Sequence, residues 1–200
     1  MAAPLEFWFD FASPYSYVAA MRIEAACARA AVPPVWKPFR LGPMFNAQLG
    51  ITDSPFNANP IRGRYMWRDV ERLCAKHKLP WKKPSMLPRN SVRAARLACV
   101  GAEQNWIGAY VRAVFQANFS KDQEIADAEL LKGVFSSSKL DDAEILTSAE
   151  SPVEKSKLRA NTDQAITRGI FGGPTFFAGG EMFFGQDRLE DAIAWACRPG

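Results

Sequence analysis

The sequence predicts an α/β fold in which a long run of helices is inserted between two strand-containing halves. Three observations support this prediction. A strand, a helix and a second strand follow one another between residues 5 and 40. Helical spacing of apolar residues then dominates from about residue 60 to 150. A hairpin and a last helix occupy about residues 170–198. Because the helical run lies inside this pattern, we expect residues 1–200 to form a single unit.

The first half reads as a βαβ unit. Residues 5–11 (LEFWFDF) are nearly continuous in apolar character, as expected for a strand buried on both faces. Ser13 is a good N-cap and Pro14 suits the first helical position. The pattern predicts a helix over residues 15–30 and a second strand over residues 35–39.

The middle of the chain is predicted to be mostly helical. Residues 42–60 are rich in Gly, Pro and Asn and predict a long, ordered loop. Ser151 and Glu154 form a capping box, with Pro152 at the first helical position, that opens a helix ending near Gly169. Apolar periodicity predicts the other helices at residues 62–79, 91–104, 106–119, 127–135 and 141–147.

The C-terminal part contains the second group of strands. Residues 174–178 and 181–184 are short apolar runs around Gly179 and Gly180, which is typical of a tight hairpin. Gln186 and Asp187 then begin an amphipathic helix. Without the helical block, the order is βαβ–α–ββα, so we expect a thioredoxin-like fold with a large α-helical insertion.

Composition excludes several classes of function. The net charge of +4 is spread among interleaved acids and bases, and no DNA or RNA motif is present, so we expect no nucleic-acid partner. No apolar run approaches the about 18 residues of a membrane span. Asp10 interrupts the apolar stretch near the N-terminus, which argues against a signal peptide. We therefore expect a cytoplasmic protein without a membrane partner.

The cysteines argue against metal and dithiol chemistry. Four cysteines occur, and no two are close enough to form a CxxC pair. No metal-ligand spacing is found elsewhere. The arginines at 62, 64, 68 and 72 share helical spacing, which is typical of a solvated helix face or, for one or two of them, of a small anionic ligand.

Ser13 is the first candidate for chemistry. It lies where a buried strand ends and a helix begins, and the free N–H groups and dipole of a helix start favour an anion. Redox enzymes of this fold carry a reactive cysteine there. Here the segment 13–16 reads Ser-Pro-Tyr-Ser, which excludes disulfide exchange at this site. We therefore expect an external thiol, with Ser13 donating a hydrogen bond to its thiolate; a plain N-cap is the alternative.

Three further segments are candidate ligand contacts. Gly173 and Pro174 match the cis-proline loop that faces the first helix start, although the sequence leaves the isomer open. The segment 184–187 opens the last helix, where free N–H groups and Asp187 could hold a γ-glutamyl group; an ordinary N-cap is the alternative. Asn57, in a Pro- and Asn-rich segment, could reach the first helix start or form a turn.

The motifs FWFDFASPYSYVAA, WKPFRLGPMFN, SPFNANPIRGRYMWRDVERL and FGGPTFFAGGEMFFGQDRLEDAI resemble those of the 2-hydroxychromene-2-carboxylate isomerases. That family belongs to a group with kappa-class glutathione transferases and periplasmic disulfide oxidoreductases. The resemblance spans nearly the whole chain. It implies glutathione as cofactor, a small aromatic or unsaturated carboxylate as substrate, and a homodimer.

The resemblance also assigns roles to residues. It implies that Ser13 stabilises the thiolate as the catalytic residue and that Asn57 lies near the sulfur and the substrate. It also implies that Arg89 lies near the substrate. Phe45, a further expected substrate contact, is a departure, because it stands near the position where a basic residue is expected. A second departure is Gly173 in place of a frequent valine. The implied glutathione contacts are Ser13, Asn57, Gly173, Pro174, Phe184, Gly185, Gln186 and Asp187.

The expected activity is ring opening and isomerisation of 2-hydroxychromene-2-carboxylate to a hydroxybenzylidenepyruvate, as in aromatic degradation. Two alternatives remain at this point. One is a kappa-like transferase, which would consume glutathione. The other is a non-catalytic thioredoxin fold that binds glutathione or a peptide without turnover.

Overall fold

The computed structural model describes residues 2–136 and 142–198, which contain a four-stranded sheet surrounded by helices. The predicted helix over residues 141–147 begins at Asp141, which lies outside the described residues. The strands in chain order are β1 (Leu5–Phe9), β2 (Pro34–Pro38), β3 (Thr175–Ala178) and β4 (Glu181–Phe184). The helices are α1 (Pro14–Ala20), α2 (Ile23–Ala30), α3 (Leu41–Leu49), α4 (Pro55–Ala58), α5 (Pro60–His77), α6 (Val92–Gly101), α7 (Ile107–Phe119), α8 (Ala128–Ser136), α9 (Asp142–Ser148), α10 (Pro152–Thr167) and α11 (Leu189–Ala196).

The sheet has the strand order β2-β1-β3-β4. β1 pairs with β2 in parallel and with β3 antiparallel, and β3 pairs with β4 antiparallel. The β3–β4 turn contains Gly179 and Gly180, both with positive φ, of 56° and 88°. This is the hairpin predicted from the Gly-Gly pair, because such a turn needs left-handed backbone at both positions. With α3 to α9 inserted between β2 and α10, the predicted thioredoxin-like fold with a helical insertion is confirmed.

The composition of β1 follows from burial on both faces of the sheet. Phe7 and Phe9 point to the larger core cluster, which includes residues of α1, α2, α7 and α11. Trp8 points to a second cluster that contains Phe39, Met44 and residues of α10. Because side chains alternate along a strand, an apolar residue is needed at nearly every position.

Two local predictions were wrong. Residues 42–60 contain α3 and α4 instead of a continuous loop. The N–H of Leu41, at the start of α3, donates to Asp10 Oδ2 at 2.8 Å. A residue 31 positions earlier in the chain therefore satisfies a free N–H at the start of this helix. The helix predicted over residues 15–30 is divided into α1 and α2 at Met21 and Arg22. At this break between the helices, the Arg22 side chain donates hydrogen bonds to Gln186 and Glu190.

Candidate active site

The start of α1 holds Ser13 in the predicted capping position. Ser13 has extended backbone (φ −89°, ψ 117°), and its Oγ accepts from the N–H of Ser16 at 3.1 Å. Pro14 follows at the first helical position. Ser13 is only 4 % exposed. A rigid helix start therefore fixes this hydroxyl at the end of β1.

The loop before β3 lies directly opposite Ser13. The Ser13 hydroxyl donates to the carbonyl of Gly173 at 2.9 Å, and the Gly173–Pro174 peptide is cis. The carbonyl of Pro174 in turn accepts from the N–H of Gly185 at 3.0 Å. Residues predicted as ligand contacts from three distant segments are thus brought together.

The segment 184–187 forms the third part of this arrangement. The Phe184 ring packs on Phe171, with ring centroids 4.5 Å apart. Gly185 has φ 108° and ψ 150°, a backbone region that essentially only glycine adopts. Gln186 is buried and its Oε1 accepts from Arg22 at 2.9 Å, whereas the Asp187 carboxylate is exposed near Arg188. The polar backbone of this turn and the Asp187 carboxylate therefore lie beside the cis-proline loop.

A cavity of about 1010 Å³ connects these segments with the inserted helices. One side, here called the core wall, consists of Ser13, Pro14 and residues 172–174 and 184–187. Another part of the lining, the insertion wall, consists of residues 40–42, Phe45, and residues 52–56 and 87–91. The volume lies at the upper end of the range of about 300–1,000 Å³ that is usual for small-molecule sites. The cavity can therefore hold a tripeptide-sized molecule beside a second small ligand.

Asn57 lies outside this cavity. Its Nδ2 donates to Leu87 O at 2.8 Å and to Asp53 Oδ1 at 3.0 Å, and the residue is exposed. It therefore joins α4 to the segment 87–91 and does not contact the space near Ser13.

Arg89 lies at the cavity but directs its charge away from it. Its Nη1 donates to Asn118 Oδ1 at 3.1 Å, and its Nη2 bonds Ser85 and Asp122. The Ser85 backbone N–H and the Arg89 guanidinium hold the pKa of the Asp122 carboxyl well below its usual range. Because Asp122 compensates the Arg89 charge, Arg89 supports the segment 87–91 in this structure.

Asp10 is a site residue that the sequence analysis missed. It is 2 % exposed, and its Oδ1 accepts from Ala12 N at 3.0 Å and from Ser91 Oγ at 2.6 Å. Its Oδ2 accepts from Leu41 N at 2.8 Å. One carboxylate therefore joins the end of β1, the start of α3 and the segment before α6. The signal that could have found it is an acid directly after a buried, nearly apolar strand, since a buried charge needs donors.

Tyr15 adds a hydroxyl donor to the cavity. Its Oη donates to Asp69 Oδ2 at 3.1 Å. Burial, followed by the nearby Asp69 charge, raises the pKa of Tyr15 well above its usual value of 10.0. The phenol therefore stays protonated at neutral pH and is not a general base there.

The cavity has no cysteine in its lining, and all four cysteines are free. Burial raises the pKa of the Cys27 thiol to about 11 and those of Cys74 and Cys99 to about 12. Cys197 is exposed at the end of α11. Since the thiolate is the nucleophilic form, none of the three buried thiols is activated. A sulfur nucleophile at Ser13 would have to come from another molecule.

The fold and the site together define a thioredoxin-type protein with inserted helices and with serine as the N-cap of the first helix. The chain belongs to the family of DSBA-like thioredoxin domains, whose model matches residues 4–193. In the described residues, no helix is long and apolar enough to cross a membrane.

Individual relatives are similar over nearly their whole length. A 2-hydroxychromene-2-carboxylate isomerase of Sphingobium xenophagum is 27 % identical over 95 % of this chain and 96 % of its own. Glutathione S-transferase kappa 1 of Rattus norvegicus is 24 % identical over 93 % and 87 %. A solved structure of a 2-hydroxychromene-2-carboxylate isomerase superposes with a TM-score of 0.86, at 26 % identity, over 97 % of this chain and 96 % of its own. The resemblance to this isomerase family noted from the motifs is therefore confirmed.

Proposed function

We propose that the protein is a glutathione-dependent isomerase of the 2-hydroxychromene-2-carboxylate type. The observation that carries the proposal is the buried Ser13 hydroxyl at a helix start, in a cavity whose lining contains no thiol. The names of the relatives support the same reaction class. A disulfide exchange reaction is not proposed, because neither Ser13 nor Ser16 can form a disulfide.

The residues of the core wall fit glutathione. A tripeptide needs backbone partners, and the cis-proline loop offers the backbone of Gly173 beside Ser13. Gly185 has no side chain to occupy the space next to this loop, and the turn at Gln186 and Asp187 offers backbone N–H groups and a carboxylate for the γ-glutamyl end. These proposed contacts use the residues that the sequence predicted to bind glutathione, apart from Asn57.

Glutathione would supply a sulfur nucleophile that adds to an electron-poor carbon of the substrate, permits ring opening and bond rotation, and leaves unchanged. Ser13 would stabilise the thiolate by a hydrogen bond, because an ordinary thiol has a pKa near 8.5 and is only a few per cent ionised at pH 7. A hydroxyl has one proton, so this bond replaces the one to the Gly173 carbonyl. Ser13 itself forms no covalent bond.

The insertion wall would hold the substrate. Phe45 lines the cavity and also packs against the second core cluster, so its ring offers a fixed apolar surface for an aromatic ring. For Asn57 and Arg89 we propose positioning roles, since Asn57 bonds the carbonyl of Leu87 in this wall and Arg89, itself part of the wall, bonds Asn118 behind it. We also propose that the protein acts in the cytoplasm as a homodimer.

The test is an absorbance assay of 2-hydroxychromene-2-carboxylate conversion with and without glutathione. We expect turnover only with glutathione, and full recovery of the free thiol at the end. Consumption of one thiol per turnover would instead support a kappa-like transferase, which the rat relative makes the second candidate. Calorimetric binding of glutathione with no turnover would contradict both enzyme functions and favour a binding protein.

A further inference from the structure

Arg40 stands at the cavity with its backbone fixed on both sides. Its N–H donates to Thr162 Oγ1 of α10 at 3.1 Å. The next N–H, of Leu41, donates to the buried carboxylate of Asp10 at 2.8 Å. Arg40 lines the cavity on the insertion wall, and Ser13 lines it on the core wall. A rigid backbone therefore presents this side chain to the cavity.

The guanidinium of Arg40 has no partner within the described part of the chain. Its Nε is buried and has no hydrogen-bond acceptor. Among the described residues, no carboxylate lies within ion-pair distance of Arg40, and its side chain donates no hydrogen bond. A buried donor without an acceptor is costly, and more so when it is charged. This arrangement is therefore one that a bound anion would stabilise.

The other two arginines at the cavity differ from Arg40. Arg89 is compensated by Asp122 and bonded to Asn118. Arg62 lies on the exposed side of α5, where water can hydrate it. Among the cavity-lining arginines, Arg40 therefore combines an enclosed guanidinium nitrogen with an uncompensated charge.

The acidic residues of the cavity are already occupied by donors. Asp10 accepts from Ala12, Leu41 and Ser91. Asp69 accepts from Tyr15 and Arg72, Asp53 from Asn57, and Asp187 lies against Arg188. An anion that compensates Arg40 would thus come from a ligand.

We propose that Arg40 binds a ligand carboxylate in the cavity and thereby selects for carboxylated ligands. The inference rests on the proposed function and specifies how its substrate is recognised. A guanidinium presents a planar fork of N–H donors that matches the two oxygens of a carboxylate, which favours this anion over a halide or a neutral carbonyl. The carboxylate belongs either to the aromatic substrate or to glutathione, and the two sources are separable by experiment.

The experiment measures calorimetric binding of 2-naphthoate, 2-naphthamide and glutathione to the full chain. The two naphthalene ligands have nearly the same shape and differ in charge, and neither takes part in the proposed reaction. In Arg40→Gln, we expect 2-naphthoate to bind about ten- to a hundred-fold more weakly, the range expected for loss of charged hydrogen bonds. Binding of 2-naphthamide should change less than about threefold, and Arg40→Lys should recover part of the loss.

Arg64→Gln is the matched control, because Arg64 is exposed on α5 and does not line the cavity. It should leave all three affinities unchanged. Loss of glutathione binding in Arg40→Gln, with 2-naphthoate unaffected, would support the carboxylate site and assign it to the cofactor. The proposal is overturned if both carboxylates keep their affinity, if the amide weakens as much as the acid, or if wild type binds neither carboxylate.

These measurements do not depend on turnover, so the two proposals can fail separately. If the protein binds 2-naphthoate in a charge-dependent way but does not isomerise 2-hydroxychromene-2-carboxylate, the Arg40 site is supported and the isomerase function is refuted. Isomerase activity that is equal in wild type and Arg40→Gln, with equal KM for both the substrate and glutathione, would refute the Arg40 site alone. Thermal unfolding of each variant shows whether the fold is kept.

Discussion

The core wall and the insertion wall of the cavity satisfy their polar groups in different ways. On the core wall, Ser13 bonds Gly173, and Pro174 bonds Gly185, so polar atoms are paired across distant segments. On the insertion wall, Arg89 is paired behind the cavity surface and Arg40 has no partner among the described residues. In the proposed function, the core wall would contact a peptide through its backbone, and the insertion wall would contact an anion through the Arg40 charge.

The largest effect is expected at the core wall, from Ser13→Ala. Loss of the donor to the thiolate should reduce kcat/KM for 2-hydroxychromene-2-carboxylate by about 10²–10³-fold, as for other preorganised donors. Steady-state assays at saturating glutathione measure this. The expectation fails if activity falls less than about threefold.

Ser16→Ala is the matched control for that variant. Ser16 is fully buried three residues further along α1, and its Oγ donates to no acceptor among the described residues. Removing an unsatisfied hydroxyl should leave activity unchanged and stabilise the fold by about 1 kcal/mol. Equal activity losses in the two variants would indicate a general packing defect.

Asp10→Asn tests the residue that joins the two walls. The carboxylate accepts from Ala12 on one side and from Leu41 and Ser91 on the other. An amide cannot accept all three bonds, so the free energy of unfolding should fall by about 2–3 kcal/mol. Urea denaturation measures the change. Asp163→Asn, at an exposed position of α10, should change it by less than about 0.5 kcal/mol.

Gly185→Ala tests the backbone of the core wall. At φ 108° an alanine is strained, and its Cβ would stand 2.5 Å from Asp187 Oδ1. Because the exposed Asp187 side chain can move away, we expect a loss of about 1–2 kcal/mol in unfolding free energy, with weaker glutathione binding by calorimetry. Gly133→Ala, in α8 with open space around it, should instead be neutral or stabilising. Equal stability changes in both variants would contradict the strain argument.

The smallest effect concerns Asp122, which supports the insertion wall through Arg89. Since the folded-state pKa of Asp122 lies below its unfolded value near 3.8, its stabilising contribution is present above that value and is lost as the pH falls. The Tm difference between wild type and Asp122→Asn should therefore be constant above about pH 5 and shrink below about pH 4. A difference that grows on acidification would contradict this assignment.

Local sequence signals predicted much of the core wall. Ser13 and Pro14 identified the start of α1, and Gly179 and Gly180 identified the hairpin, because N-caps and tight turns depend on residues within a few positions. The insertion wall was predicted less well. A Gly- and Pro-rich composition suggested a loop where α3 forms, because the acceptor for its first N–H belongs to Asp10, 31 residues earlier.

By itself, the sequence determined the order of the four strands and of most helices, the absence of sulfur at positions 13 and 16, and the family. These depend on periodicity, on capping and turn residues, and on residue identity. Only the tertiary structure decided that Asn57 lies outside the cavity, that Arg89 is compensated and that no described residue compensates Arg40. Whether a charge is available to a ligand depends on partners that are distant in sequence, and only folding brings them within hydrogen-bond distance.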